Sequence, residues 1–194
     1  MKVIGITGGI GSGKSTISNI LENNFNALII STDAIAHKLM RKGMVSYEKI
    51  LDYFGEGILD ANQEVDRVKL AECVYGQRDK LLLLNSFTHP YVMEYVKELI
   101  KIKEMEYPII VVETALPREA KLHEICDEIW YVHASYEVRR NRLKSSRNYS
   151  DEKIDTIFSN QMKEEEYRMI CTHEIVNEGS LEKIFDVIQL YVEK

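Results

Sequence analysis

Near the amino terminus, Gly8-Gly9-Ile10-Gly11-Ser12-Gly13-Lys14-Ser15 fits the pattern G-x-x-x-x-G-K-[ST]. Residues in that order build a cradle for phosphate. The glycines let backbone N–H groups turn toward one point, and a helix opening behind them adds the positive end of its dipole. Gly9, Gly11, Ser12 and Gly13 are therefore expected to wall an ATP site. Lys14 is expected to reach the β- and γ-phosphates, Ser15 to give a hydroxyl to Mg²⁺, and Thr16 to donate to the α-phosphate. A glycine-rich turn with a chance lysine explains the string less well. The loop stands between the apolar strand KVIGIT and a helical stretch that opens at Lys14, which is the setting the chemistry needs.

A metal on this loop needs a carboxylate as well as Ser15, supplied from the carboxyl end of a neighbouring strand. Asp33 follows ALIIST and Glu113 ends PIIVVE, so either one can support the metal through water while the other serves elsewhere. Asp33 is the expected general base, since a short carboxylate at a strand end can take the proton of an acceptor hydroxyl. Its type also suits an N-cap on the helix AIAHKLM. Phosphoryl transfer spreads charge over the moving oxygens, which arginines can stabilise. Arg139, Arg140, Arg142 and Arg147 follow the fourth strand. Positions 139 and 142 share a helical face and Arg140 points elsewhere, and Arg142 and Arg147 are the residues expected at the phosphates.

The elements that must position these groups alternate. Strands KVIGIT, ALIIS, PIIVVE, EIWYVHA and HEIVN are each followed by helical sequence, including PREAKLHEI after the third. The runs VIGI, LIIS and IIVV are apolar at consecutive positions, as parallel strands covered on both faces require. The expected fold class is α/β: a three-layer P-loop kinase fold with a five-stranded parallel sheet and helices on both faces. One domain is expected, with core segments 1–33, 107–140 and 170–194. Residues 34–106 read as a helical, acceptor-binding insertion, too long for a simple crossover. Residues 141–169, opening on the polar RLKSSRNYSDEKIDT, read as a mobile lid.

With 194 residues the chain can bury one such core. A net charge of −6 gives no global support for nucleic-acid binding, so any anion site must be local. The opening MKVIGITGG runs straight into strand sequence without a leader pattern, and no apolar run approaches a membrane span. Cys73, Cys126 and Cys171 are scattered and read as small apolar residues, so a reducing cytoplasm is the expected setting.

The residues alone leave open which small molecule receives the phosphate, with nucleosides and nucleoside monophosphates among the candidates. A guanine-nucleotide switch lacks its N/T-K-x-D tetrad here. Nearly end to end, however, the chain resembles the dephospho-coenzyme A kinases. The resemblance rests on ITGGIGSGKST at 6–16, IISTDAIAHKL at 29–39, Asp66-Arg67 with Leu70, and His89-Pro90. It continues through VVETALPREAKL at 111–122, RLKSSR at 142–147, Gln161 with Arg168, and IVNEGSLEKI at 175–184. It implies transfer of the ATP γ-phosphate to the ribose 3′-hydroxyl of dephospho-coenzyme A, with Mg²⁺. Asp33 would be the base, Arg142 and Arg147 lid residues, and Asn177 and Gly179 part of the loop against adenine. Arg67 and His89 would belong to the acceptor-binding insertion, His89 also fixing a turn before a proline that starts a helix. Where the family usually has an Asp two residues before the base and an Arg four after it, this chain has Ser31 and His37. Glu113 stands where the family commonly has an Asp.

Overall fold

Valine and isoleucine are stiff at χ1 and fit a pleated surface, and here they come in unbroken runs. In the computed structural model, which describes Met1 to Glu193, those runs form five parallel strands. They are β1 (Lys2–Thr7), β2 (Ala27–Ser31), β3 (Ile109–Glu113), β4 (Glu128–His133) and β5 (His173–Val176), in the order β2-β3-β1-β4-β5. The helices are α1 (Lys14–Phe25), α2 (Thr32–Leu39), α3 (Val45–Phe54), α4 (Arg67–Val74), α5 (Arg78–Lys103), α6 (Tyr136–Arg147), α7 (Asp151–Ser159), α8 (Glu164–Ile170) and α9 (Leu181–Val192). Two compact units result: Met1–Ile30 with the chain from Lys103 onward, and Ser31–Ile102.

In the first unit β1 is central, with Lys2 opposite Ile109 of β3 and Ile4 opposite Glu128 of β4. Alternate residues of a strand face opposite sides, so continuous burial needs cover on both. Ile4, Ile6, Trp130 and Val132 pack with Ile17 and Leu21 of α1 and Ile184 and Ile188 of α9. On the other side Tyr131 stacks on Tyr167 of α8, with ring centroids 4.8 Å apart. Arg168, the next residue of α8, grips Glu174 of β5 at 2.9 Å. The strand ends that carry the phosphate loop are thereby fixed from both faces.

The second unit has its own core, in which Tyr47, Ile50, Ile58, Leu59 and Leu70 pack together. Asp66 caps α4, accepting from the N–H groups of Val68 and Lys69, which explains the Asp66-Arg67 pair in local terms.

Three expectations change. Residues 117–121 of PREAKLHEI form turns, and only Leu122–Glu124 is a short 3₁₀ turn. Lys121 sits at φ 45°, a left-handed conformation that ends helical propagation. Pro90 does not start a helix; it and His89 lie inside α5, which runs 26 residues through them. Proline removes one N–H and crowds the carbonyl four residues back, yet the helix continues, with Thr88 before it and Val92 and Val96 after it buried. The hydroxyls of Ser86 and Thr88 bond back to the carbonyls of Leu83 and Leu84, at 2.6 and 3.2 Å. Finally, the polar stretch from Arg142 is mostly helical. Arg140 of α6 pairs with Asp151 and Asp155 of α7, and Lys144 holds Asp151 at 2.7 Å, zipping the two helices together across the Asn148 turn.

Ile4 is fully buried between β1's neighbours and α1. Ile4→Ala should lower unfolding stability by about 2–5 kcal/mol, read as a fall in the urea midpoint at unchanged slope, and an unmoved midpoint would contradict this packing.

Candidate active site

A loop whose N–H groups turn inward must turn its carbonyls outward, and a buried carbonyl needs a donor. Each carbonyl from Gly8 to Gly13 has one. Gly8 O accepts from Lys14 Nζ at 2.9 Å, and Gly9 O from the Ser12 N–H at 3.1 Å. Ile10 O accepts from Arg139 Nε at 2.9 Å. Arg142 Nη1 donates to Gly11 O at 3.2 Å and to Ser12 O at 3.1 Å, while Asn177 Nδ2 donates to Ser12 O at 2.7 Å. Gly13 O accepts from Thr16 and Ile17 as α1 begins. The amides of Gly11 and Gly13 share peptide planes with the Ile10 and Ser12 carbonyls and so point the opposite way. Gly13, the N-cap of α1, offers no side-chain cap, which leaves the helix's opening donors available to an anion.

Asn177 shows why Gly13 must be glycine. Gly13 has φ 92°, and a Cβ there would come within 2.0 Å of Asn177 Nδ2. The Asn177 side chain is buried and committed to the loop, and the backbone carbonyl of Asn177 accepts from Arg142 Nη2 at 2.8 Å. Next to it, Glu178 accepts from the Ser135 N–H, capping α6 where Ser135 offers no side-chain cap. That contact holds the Glu178 carboxyl below its ordinary range. Gly179 follows, exposed, before α9. The segment after β5, the phosphate loop and α6 thus form one hydrogen-bonded group.

Glu113 ends β3 and accepts from Ser18 Oγ at 2.6 Å. Ser18 lies one helical turn along α1 from Lys14 and Ser15, so the carboxylate stands on the same flank of the helix. Ser15 itself is exposed, and Thr16 is half-buried. Arg147 projects from the last turn of α6, five residues from Arg142 and on a different face, and is exposed. It does not join the loop as Arg142 does. Burial pushes the Cys171 thiol up to about 12, helped by Glu174, which makes it a poor nucleophile.

The remaining expected residues belong to the second unit. Ser31, not Asp33, caps α2: its side chain accepts from the Ala34 N–H. That accounts for Ser31 in local terms and leaves Asp33 exposed in the first turn. His37 follows one turn later. Partial burial lowers its pKa and the Arg67 guanidinium lowers it further, against an opposing pull from Asp33, which favours the neutral imidazole. Arg67 is exposed at the start of α4, and His89 is half-buried within α5. No group of three or more His, Cys, Asp or Glu residues among the described residues could hold a metal by itself.

Arg139, Gln161 and Glu178 were not among the expected site residues, although all touch the loop or its supports. The shared face of positions 139 and 142 was a signal for Arg139; Gln161 and Glu178 act through contacts distant in sequence.

A family model described as dephospho-CoA kinase matches residues 2–183. The dephospho-CoA kinase of Carboxydothermus hydrogenoformans is 38% identical, covering 100% of this chain and 94% of its own length. The solved dephospho-CoA kinase from Campylobacter jejuni aligns with a TM-score of 0.72 at 25% identity, covering 98% of this chain and 95% of that one. A shikimate kinase from Acinetobacter baumannii, solved with shikimate, has a TM-score of 0.59 at 11% identity over 100% of this chain and 92% of its own, a likeness of fold alone.

Asn177→Asp replaces a donor to Ser12 O with a carboxylate that can only repel it. ATP affinity should fall about tenfold or more and stability by about 1–3 kcal/mol, measured by calorimetry and urea unfolding. Wild-type ATP affinity in that variant would contradict the role assigned to this amide.

Proposed function

The chain belongs to the dephospho-CoA kinase family, and from that premise we propose that it transfers the γ-phosphate of ATP to the ribose 3′-hydroxyl of dephospho-coenzyme A, the last step of coenzyme A synthesis. The observation that carries the reaction type is the phosphate loop with its carbonyls bonded outward. The family match over residues 2–183 carries the acceptor.

In this scheme ATP lies with its phosphates on Gly9, Gly11, Ser12 and Gly13, held also by Lys14, Ser15 and Thr16. The segment with Asn177 and Gly179 borders the adenine, Asn177 through its grip on the loop. Asp33 accepts the proton of the 3′-hydroxyl as that oxygen attacks. The new bond joins the 3′-oxygen to the γ-phosphorus, the bond to the β,γ-bridging oxygen breaks, and ADP leaves. Lys14 stabilises the charge on the transferring group. Arg142 holds the loop, and Arg147 at the exposed end of α6 is placed to add charge if the lid, residues 141–169, closes. Residues 34–106 serve the acceptor, through Arg67, His89 and the neutral His37, with Glu113 contributing from the core. A neutral imidazole offers a single donor where a guanidinium would offer a fork.

Mg²⁺ fits the donors present. Hydroxyl and carboxylate oxygens are the ligands this ion takes, usually one or two from protein with waters and phosphates completing the set. Ser15 would hold it directly and Glu113, on the same flank of α1, through water, with Asp33 as the other carboxylate available. When bound, it would neutralise charge on the β- and γ-phosphates. Among the described residues no helix is long and apolar enough to cross a membrane. An ATP-dependent step on a diffusible metabolite belongs in the cytoplasm.

A coupled assay of ADP release should show turnover with dephospho-coenzyme A and none with a panel of nucleosides and nucleoside monophosphates; turnover confined to the panel would reject the acceptor. Asp33→Asn should leave ATP binding intact and lower kcat about 10²–10⁴-fold, and an undiminished rate would eliminate Asp33 as base.

A further inference from the structure

Arg139 and Gln161 close on the rim of the phosphate loop, yet the transfer scheme uses neither. Arg139 Nε donates to the Ile10 carbonyl at 2.9 Å, and its Nη2 donates to Gln161 Oε1 at 2.6 Å. The same Oε1 accepts the Ile10 N–H at 3.2 Å. Both backbone polar groups of Ile10 are therefore held in one closed ring of hydrogen bonds. The guanidinium also lies over the Phe158 ring of α7, 4.3 Å from its centroid. It approaches the loop so closely that a Cβ on Gly9 would sit 2.3 Å from Nη2. Burial is the main influence on this arginine and lowers its pKa. A buried guanidinium is costly unless its donors are used. Here the hydrogen bonds go to a peptide carbonyl and a neutral amide, not to a carboxylate, so charge pairing is not what the arrangement achieves.

We propose that Arg139 and Gln161 are positioning residues for phosphoryl transfer, locking the peptides on both sides of Ile10 so that the phosphate loop has its binding shape before the triphosphate arrives. The inference rests on the reading of Gly8–Ser15 as the triphosphate cradle. Glycine-rich backbone loses the most conformational freedom on ordering, and a loop ordered in advance does not lose it again at binding. The lock also has a second attachment. Gln161 lies just past α7, with its own N–H on the Phe158 carbonyl at 3.3 Å. A shift of the end of α7 removes the acceptor from Ile10 and Arg139 together. Phosphate affinity and the position of this part of the lid are thereby coupled.

The test uses the full chain with inorganic tripolyphosphate and Mg²⁺ in calorimetry, alongside steady-state kinetics. Gln161→Leu keeps the bulk without the acceptor, and Arg139→Lys keeps the charge without the fork. Each should weaken tripolyphosphate and raise the KM for ATP about tenfold or more, since Gln161→Leu removes the acceptor of two hydrogen bonds and Arg139→Lys removes the fork, and the double variant should be no worse than the worse single because the ring is already broken. The KM for dephospho-coenzyme A should not move, while the thermal midpoint falls a little because part-buried donors of Ile10 and Arg139 lose their partners. Tripolyphosphate affinity unchanged in Arg139→Lys, or an acceptor KM that rises by the same factor as that for ATP, would overturn the proposal. Should Gln161→Leu fail to fold, Arg139→Lys decides alone. A wild-type chain that ignores tripolyphosphate overturns the cradle reading instead.

Discussion

Everything at this site follows from a property of the peptide bond: N–H and C=O point opposite ways, so a loop cannot offer its N–H groups to phosphate without turning its carbonyls into the protein. Those carbonyls must find donors that are not the ligand. In this chain the donors come from the flanking elements, with Arg139 and Arg142 on α6, Asn177 after β5 and Lys14 on α1 itself. The sheet order β2-β3-β1-β4-β5 places β4 and β5 in sequence beside β1, and α6 and Asn177 follow directly from those two strands. The topology thus brings the donors to the loop.

This changes what the basic residues after β4 are for. Arg140 ties α6 to α7, Arg142 satisfies backbone carbonyls, and Arg139 belongs to a ring around Ile10. A run of arginines near a phosphate site reads naturally as a reserve of positive charge. Here three of the four are engaged in hydrogen bonds that fix geometry, and only Arg147 stands exposed at the end of its helix. Glu178 serves the same end through the opposite charge, accepting from the Ser135 N–H where α6 begins.

The strands and the phosphate loop were legible in the sequence because their causes are local: unbroken β-branched runs, then glycines, then a lysine at a helix start. The limits of β1 and the opening of α1 at Lys14 match that reading residue for residue. Where tertiary contacts decide, local signals misled. Pro90 reads as a helix start, but α5 continues through it, with buried residues on both sides. PREAKLHEI has helical composition, yet the left-handed Lys121 breaks it. Gln161 and Asn177 act on residues about 150 or more positions away, and nothing in their sequence neighbourhoods reports such contacts. Ser31 was read only as a departure from a family pattern, and its role as the cap of α2 appears once the helix start is seen.

The most direct test of the central claim, that this loop delivers a phosphoryl group to one hydroxyl of a ribose, is the structure of the product. Incubation with ATP, Mg²⁺ and dephospho-coenzyme A followed by phosphorus and proton NMR should reveal a new phosphomonoester coupled to the ribose 3′ proton. Inorganic phosphate in its place, or a phosphomonoester on any other position, would contradict the account.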